Sequence, residues 1–355
     1  MLIKQLELSE KGELLNFLRT AYAENPRMSD ARFWDWHFLE NPYVEPDNLP
    51  VWIAKDGDEI AAQLAATPVK LKVGDAEKSA MWILDLIVRP EYRRRGLGKK
   101  LVAAAEKFCP LGLGINTAEQ HSTALLESMR WKMFGKVPRY NKLLFPGEAL
   151  REISQIKILR RFANAVSAPL RPRVVKDFCE NGNLRFVENF DASFDDLWRE
   201  SSAQWICAVV REAAILNWQY VNQPDKKFDV LGYYENKKLL GYAVLYFRKP
   251  DANGALVKAA IADLCYHPSK PVETIDTLIR GSLQLAVKRR AGALVTDVSD
   301  SAIERRLKFF GFGAVKNPLQ MLVNSNERQE FLADLSKWFV TRGDSDTSIF
   351  EHPNL

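Results

Sequence analysis

The chain of 355 residues is long enough for two domains of ordinary size, each with its own apolar core. It carries 50 Lys and Arg against 45 Asp and Glu, and the net charge of +5 is too modest to indicate a nucleic-acid partner by itself. The sequence shows no signal pattern and no long apolar run, which predicts a cytoplasmic protein without a transmembrane segment. The four cysteines follow no paired motif, so we expect a reducing compartment and no structural metal.

Apolar periodicity predicts strands and helices in a mixed order along the chain. In the first part we expect a strand over 2–7, helices over 10–23 and 30–39, strands over 51–55, 59–70 and 79–89, a helix over 96–108, a strand over 112–116, a helix over 122–130 and strands up to 145. The last part follows the same order, with strands over 229–234, 238–248 and 257–266, a helix over 272–289, a strand over 293–297 and a helix over 301–309.

The most informative stretch runs from Leu84 to Leu101. An apolar strand ends at Pro90, and a turn with Gly96 and Gly98 then opens an amphipathic helix. Glycines let the backbone approach a ligand closely, and the free amides at a helix start attract anions. Five basic residues add positive charge to this turn: Arg93, Arg94, Arg95, Lys99 and Lys100. The stretch therefore predicts a site for a pyrophosphate. The spacing fits neither a Rossmann nor a Walker glycine motif.

This turn resembles the signature of the GNAT acyltransferase superfamily, Arg/Gln-x-x-Gly-x-Gly/Ala after a splayed strand. The resemblance implies that the loop amides hold the pyrophosphate of acetyl-CoA, the cosubstrate, and that the preceding strand pairs with the pantetheine arm. It assigns this binding to Ile87, Val88, Arg93, Arg94, Arg95, Gly96, Leu97, Gly98 and Lys99. It also implies an α/β (α+β) fold of two GNAT-like domains, each a mixed, mostly antiparallel twisted sheet flanked by helices.

The second half of the chain echoes the first in order and spacing. Three blocks correspond: 35–42 with 217–224, the hairpin 51–63 with 230–242, and 84–90 with 262–268. After Pro268 the second copy has no glycine turn and no arginine cluster, so we expect it to have lost the cofactor site. The tandem arrangement predicts a GNAT domain with the acyl-CoA loop over 1–145, a helical linker over 146–184 and a degenerate GNAT-like domain over 185–355.

The linker contains a basic amphipathic helix. Its apolar positions are Ile153, Ile156, Leu159, Phe162 and Ala163. We expect this helix to pack between the domains, and binding to a membrane surface is the alternative.

The expected chemistry is attack by an amine on the thioester carbonyl of an acyl-CoA, which needs a group to accept the amine proton. Asp85 is the first candidate, because a carboxylate is out of place in an apolar strand. The alternative is a structural hydrogen bond, since Asp263 occupies the matching position in the other copy.

The tyrosine with which GNAT enzymes often reprotonate the CoA thiolate is absent from the aligned positions, which hold Leu126 in the first copy and Leu307 in the second. Nearby Glu119, His121 and Tyr140 are possible substitutes, and water is another.

The aromatic clusters before the first hairpin of each copy are expected in the core, with stacking on a sugar or an acyl chain as the alternative. They comprise Phe33, Trp34, Trp36, Phe38, Trp218 and Tyr220. The ending 338–346 resembles that of tandem GNAT-like proteins of bacterial polysaccharide gene sets, which favours an amino-sugar acceptor.

We therefore expect an N-acyltransferase that transfers acetyl from acetyl-CoA to a small-molecule amine or amino sugar, without a metal. One alternative is a non-catalytic acyl-CoA-binding or scaffold protein. Another is an aminoacyl transferase of the peptidoglycan-bridge type, which uses charged tRNA.

Overall fold

The computed structural model describes residues 1–45, 47–109, 111–116, 121–149, 157–170, 182–224, 227–248, 258–325 and 330–344. The N-terminal half contains β1 (Leu2–Gln5), α1 (Lys11–Ala21), α2 (Ala31–Phe38), β2 (Val51–Asp56), β3 (Glu59–Val73), β4 (Ala76–Val88), α3 (Leu97–Phe108), β5 (Leu111–Asn116), α4 (His121–Glu127) and β6 (Lys132–Leu143).

Two helices follow, α5 (Pro146–Ala149) and α6 (Lys157–Ser167). The C-terminal half contains β7 (Leu184–Val187), α7 (Ala192–Ser201), β8 (Cys207–Val209), α8 (Ala213–Leu216), a π-helical turn (Asn217–Val221), β9 (Phe228–Glu235), β10 (Lys238–Phe247), β11 (Lys258–Tyr266), α9 (Pro271–Lys288), β12 (Ala293–Asp297), α10 (Ser301–Phe309), β13 (Gly313–Ser325) and β14 (Trp338–Phe339).

Twelve strands form one continuous path, in the order β1-β2-β3-β4-β5-β13-β6-β12-β11-β10-β9-β7. Most neighbours are antiparallel, while β4 with β5 and β11 with β12 are parallel. Short β8 joins the far end of β3 and also pairs with β14. The expected fold class, a mixed and mostly antiparallel sheet flanked by helices, is confirmed.

The two halves interleave at the centre of the sheet. Strand β13 of the C-terminal half lies between β5 and β6 of the N-terminal half, and β6 in turn pairs with β12. Backbone hydrogen bonds therefore run without a break from one half into the other, and neither half completes its own sheet.

Alternating residues of β4 serve two different cores. Met81 packs with Leu97 and Leu101 of α3 on one face of the sheet. Trp82 and Leu84 point to the opposite face, where they join the large core shared by both halves. The expectation of core packing is confirmed for the aromatic clusters, whose six side chains are all buried.

Helix α6 does not pack as expected. Ile158 is 80% exposed, Phe162 66%, Val166 62% and Leu159 48%, so the expectation of an apolar face buried between the domains is wrong for these residues. The helix contacts α5 through its backbone instead, with the carbonyl of Arg160 against Gly147. The expected apolar positions Ile153 and Ile156 lie outside the described residues. No helix in the described ranges is both long and apolar enough to cross a membrane.

Candidate active site

Strands β4 and β5 separate soon after they meet. They pair only at Met81 with Gly112 and at Trp82 with Leu113. Beyond Trp82, β4 continues to Val88 and, within the described part of the chain, pairs with β3 alone. The other edge of β4 is therefore open along the residues that include Ile87 and Val88, and an extended ligand with amide groups can pair there as an additional strand would.

A β-bulge lies at the start of this open edge. Leu84 pairs with Ala65 and Ile87 with Gln63, so Asp85 and Leu86 together face a single residue of β3. Asp85 has a φ of 43°, which is uncommon for a residue with a side chain. Its carboxylate accepts a hydrogen bond from the hydroxyl of Tyr22 at 3.3 Å. The bulge thus places the carboxylate of Asp85, hydrogen-bonded by Tyr22, near the point where β4 and β5 separate.

The turn after β4 presents a row of backbone donors. Gly96, at the N-cap of α3, has a φ of 75°, in the left-handed region that favours glycine. Lys100 is the first residue of the helix whose backbone amide donates a hydrogen bond, to the carbonyl of Gly96 at 3.2 Å. Among the described residues, the amides from Arg94 to Lys99 have no acceptor. Such successive free amides at a positive helix end form an anion-binding concavity.

The arginines of this turn differ in what they contact. Nε of Arg93 donates to the carbonyl of Val88 at 3.2 Å, which ties the turn to the end of β4. Arg95 donates to the carbonyl of Glu91 at 3.0 Å and lies over the ring of Tyr92. Arg94, Lys99 and Lys100 are exposed beside the free amides. Leu97 is buried against the sheet and fixes the start of α3. The predicted CoA-binding residues thus lie together at one end of β4.

The corresponding strand pair of the C-terminal half carries no such turn. Strands β11 and β12 also pair over a short stretch, from Lys258 with Ala293 to Ala260 with Val295. After β11 the chain passes into α9, which begins at Pro271. Helix α9 therefore begins without a glycine turn.

Asp263, the counterpart of Asp85, is deeply buried. It accepts hydrogen bonds from Nε of Arg211, from the hydroxyl of Tyr242 at 2.9 Å and from the hydroxyl of Thr341 at 2.8 Å. Arg211 also donates to Asp344 at 2.7 Å. One guanidinium is thus shared by two carboxylates. This network anchors the C-terminal segment against β11.

A partly open cleft lies on the face of β3 and β4 opposite α3. The N-terminal half contributes Thr67, Val69, Trp82 and Leu84, and the C-terminal half contributes Val209, Ile215, Trp218, Gln219, Gly343 and Asp344. The lining is mostly apolar, and Leu84 precedes the bulge at Asp85. Sequence reasoning missed this cleft, because its walls come from segments that are distant in the chain.

Of the other candidate acids, Tyr140 lies within the described residues. Tyr140 of β6 is buried, and burial together with Glu304 of α10 raises the pKa of its phenol, so the hydroxyl keeps its proton at neutral pH. Tyr140 therefore lies beside the C-terminal half. Glu119 and the side chain of His121 fall outside the described residues. No cluster of metal ligands is found in the described ranges.

Comparison with known proteins agrees with this geometry. Residues 2–110 match the family model described as acetyltransferase (GNAT) domain. No curated protein matches the chain in sequence. N-myristoyltransferase of Saccharomyces cerevisiae, solved with bound myristoyl-CoA, superposes with a TM-score of 0.62 at 11% identity, over 91% of this chain and 82% of that one.

A second similar structure is a conserved protein of unknown function from Enterococcus faecalis, described as a probable N-acyltransferase. It has a TM-score of 0.62 at 14% identity, and the match covers 93% of this chain and 74% of that chain. At such low identity these structures show the fold, and they show it for both halves together.

Proposed function

We propose, from the match of residues 2–110 to the acetyltransferase (GNAT) domain model, that this chain is an acyl-CoA-dependent N-acyltransferase that moves an acetyl group from acetyl-CoA to an amine. The observation that carries the proposal is the row of free amides from Arg94 to Lys99 directly beyond the open edge of β4. Phosphate oxygens can accept hydrogen bonds from these free amides, and the amide groups of a pantetheine arm can pair with the open strand edge.

We assign the cofactor to one end of the N-terminal sheet. Ile87 and Val88 offer the strand edge, while the turn from Arg93 to Lys99, with Gly96, Leu97 and Gly98, receives the pyrophosphate. The side chains of Arg94 and Lys99 add positive charge from an exposed position. The C-terminal half is, in this proposal, a second copy of the same GNAT-like unit, joined to the first through residues 146–184. It has the strands and helices of that unit without the glycine turn.

The proposed reaction joins the amine nitrogen to the thioester carbonyl carbon and breaks the carbon–sulfur bond. An acceptor that enters as an ammonium loses two protons on becoming an amide. Asp85 is our candidate for the first proton, and the departing thiolate takes the second, directly or through water. Backbone amides at the open edge of β4 stabilise the negative oxygen of the intermediate. Binding both reactants in one cleft supplies much of the rate.

Calorimetric titration with acetyl-CoA tests the cofactor site. Lys99→Glu reverses a charge at the start of α3 and is expected to weaken binding by about tenfold or more, because it opposes a diphosphate. Lys107→Glu makes the same change at the other end of α3 and should leave the affinity unchanged. Gly98→Trp fills the turn and should abolish binding, with circular dichroism to confirm that it folds.

Titration with a panel of acyl-CoAs from acetyl to myristoyl then determines which acyl chain length the protein binds most tightly. The myristoyl-CoA complex of the yeast enzyme makes the long end of this panel necessary. A folded wild-type protein that binds no acyl-CoA would overturn the proposal. Binding without turnover of any amine would favour the non-catalytic alternative, and binding of charged tRNA at low salt would favour the aminoacyl transferase.

A further inference from the structure

The cleft opposite α3 contains one carboxylate with unused hydrogen-bonding capacity. The side chain of Asp344 is only 6% exposed. Its Oδ2 accepts from Nη2 of Arg211 and from the backbone amide of Thr341, both at 2.7 Å. No donor among the described residues reaches Oδ1. Oδ1 is not one of the fully buried polar atoms that lack a partner, so it keeps some exposure at the wall of the cleft, where a ligand with a charged donor would hydrogen-bond to it.

The charge balance around Asp344 points to a cation. Among the described residues, Arg211 is the one guanidinium within hydrogen-bonding distance of Asp344, and it also binds Asp263. Burial raises the pKa of Asp344. The charge of Arg211 lowers this pKa and the charge of Asp263 raises it, both by less than burial does. A positive group in the cleft would restore the balance of two carboxylates and one guanidinium.

The position of Asp344 is fixed by the fold. Gln219 donates to the carbonyl of Gly343 at 2.6 Å, and Gly343 packs so closely on Tyr220 that a Cβ atom would clash with the phenol oxygen. Arg342 is bound to buried Asp297. The segment before Asp344 is therefore held on both sides, and its carboxylate is preorganised within the cleft.

Two polar side chains line the cleft besides Asp344: Thr67, whose hydroxyl bonds to His37, and Gln219, which donates to the carbonyl of Gly343. The other side chains that line it are apolar or aromatic. They are those of Val69, Trp82, Leu84, Val209, Ile215 and Trp218. Such walls bind an apolar or aromatic body, whereas a sugar would need more hydrogen-bonding partners than the cleft offers.

We propose that this cleft is the acceptor site, that Asp344 pairs through Oδ1 with the ammonium group of the acceptor, and that the acceptor is a primary amine on an apolar or aromatic body. This inference rests on the proposed function. It makes the acceptor site a composite of both halves, so the C-terminal copy supplies a substrate-binding residue although it lacks the phosphate loop.

Three probes on the full chain test the proposal, by ligand-observed NMR titration. 2-Phenylethylamine carries an ammonium on an aromatic body, 2-phenylethanol is its neutral analogue, and glucosamine places an ammonium on a polar body. We expect 2-phenylethylamine to bind about tenfold or more tightly than either of the others, because only it matches both the charge and the walls. Equal binding of the alcohol, or tighter binding of glucosamine, would overturn the proposal.

Variants locate the partner of the ammonium. Asp344→Asn keeps an oxygen for the amide of Thr341 and should reduce binding of 2-phenylethylamine about tenfold. Asp334→Asn, at an exposed position of the same segment, should not change it. Unchanged binding in Asp344→Asn would refute the assignment, and if that variant fails to fold, the comparison of amine with alcohol on the wild type still decides.

Titration with acetyl-CoA separates this inference from the proposed function. The Asp344→Asn variant should keep its affinity for acetyl-CoA. A wild-type chain that binds the amine but no acyl-CoA would overturn the proposed acyl transfer and leave the ammonium site standing.

Discussion

Trp36 and Trp218 exchange equivalent hydrogen bonds across the boundary between the two halves. The indole nitrogen of each donates to the backbone carbonyl of the other at 2.8 Å, and the rings stack with centroids 4.9 Å apart. The two residues hold matching positions in the first repeated block of the sequence. A reciprocal contact between matching residues is what a two-fold relation between two copies requires. It supports our proposal that the chain is a tandem repeat.

This pair should stabilise the joint between the halves. Trp36→Phe removes one indole donor and leaves a buried carbonyl without its partner, so we expect a loss of about 1–3 kcal/mol in the free energy of unfolding. Trp34→Phe is the matched control on the same helix, because no described residue accepts a hydrogen bond from the buried indole nitrogen of Trp34. Urea denaturation of both variants measures the difference, and equal losses would contradict the prediction.

Gly343 should tolerate no side chain. Gly343→Ala places a Cβ atom against the phenol oxygen of Tyr220, and we expect a loss of about 1–3 kcal/mol from overpacking. Tyr220→Phe removes that oxygen. The double variant should therefore be more stable than Gly343→Ala alone, as measured by chemical denaturation. If the second substitution restores nothing, the clash is not the cause.

Asp297 should be among the carboxylates on which stability depends most. It is fully buried at the end of β12 and is bound by Arg139 at 2.7 Å and by Arg342. Asp297→Asn removes the charge that faces the buried guanidinium of Arg342 and the partly buried guanidinium of Arg139, so we expect a loss of about 3–5 kcal/mol. Asp229→Asn breaks a surface pair with Arg289 and should cost less than about 1 kcal/mol. Comparable losses in the two variants would disprove the burial argument.

His37 should make stability depend on pH. Its ring bonds to the hydroxyl of Thr67 at 2.7 Å, and burial, with a further effect of Arg27, lowers its pKa from 6.5 to about 3. In the unfolded chain His37 therefore binds a proton below pH 6.5, whereas in the folded chain it stays neutral down to about pH 3. Stability is retained above pH 6.5 and falls between these values as the pH decreases.

The size of this effect is measurable by comparison with His37→Gln. Between pH 7 and pH 5 the wild type should lose about 2 kcal/mol more than the variant, at about 1.4 kcal/mol per pH unit below the unfolded pKa. Denaturation at both pH values gives the difference. Parallel losses in the two proteins would show that His37 does not titrate as described.

Much of the fold was predictable because it depends on local patterns. Strand β4, the glycine turn and helix α3 were predicted within three residues of their observed ends, since apolar periodicity, Pro90 and the glycines mark them in the sequence. Strand β7 was not predicted, because only four residues form it and two of them are exposed. The exposed apolar face of α6 was also missed, since periodicity shows that a face exists but not whether anything covers it.

The sequence by itself determined most of the strands and helices, the position of the basic glycine turn before α3, and the three blocks in which the second half echoes the first. These properties follow from residue types within a few positions of one another. Tertiary structure alone decided that β13 lies between β5 and β6, and that Asp344 reaches a cleft beside Trp82 and Leu84. Such contacts join residues at least 172 positions apart, as Gly313 and Asn141 are, and their stability depends on packing and charge pairing that no local pattern records.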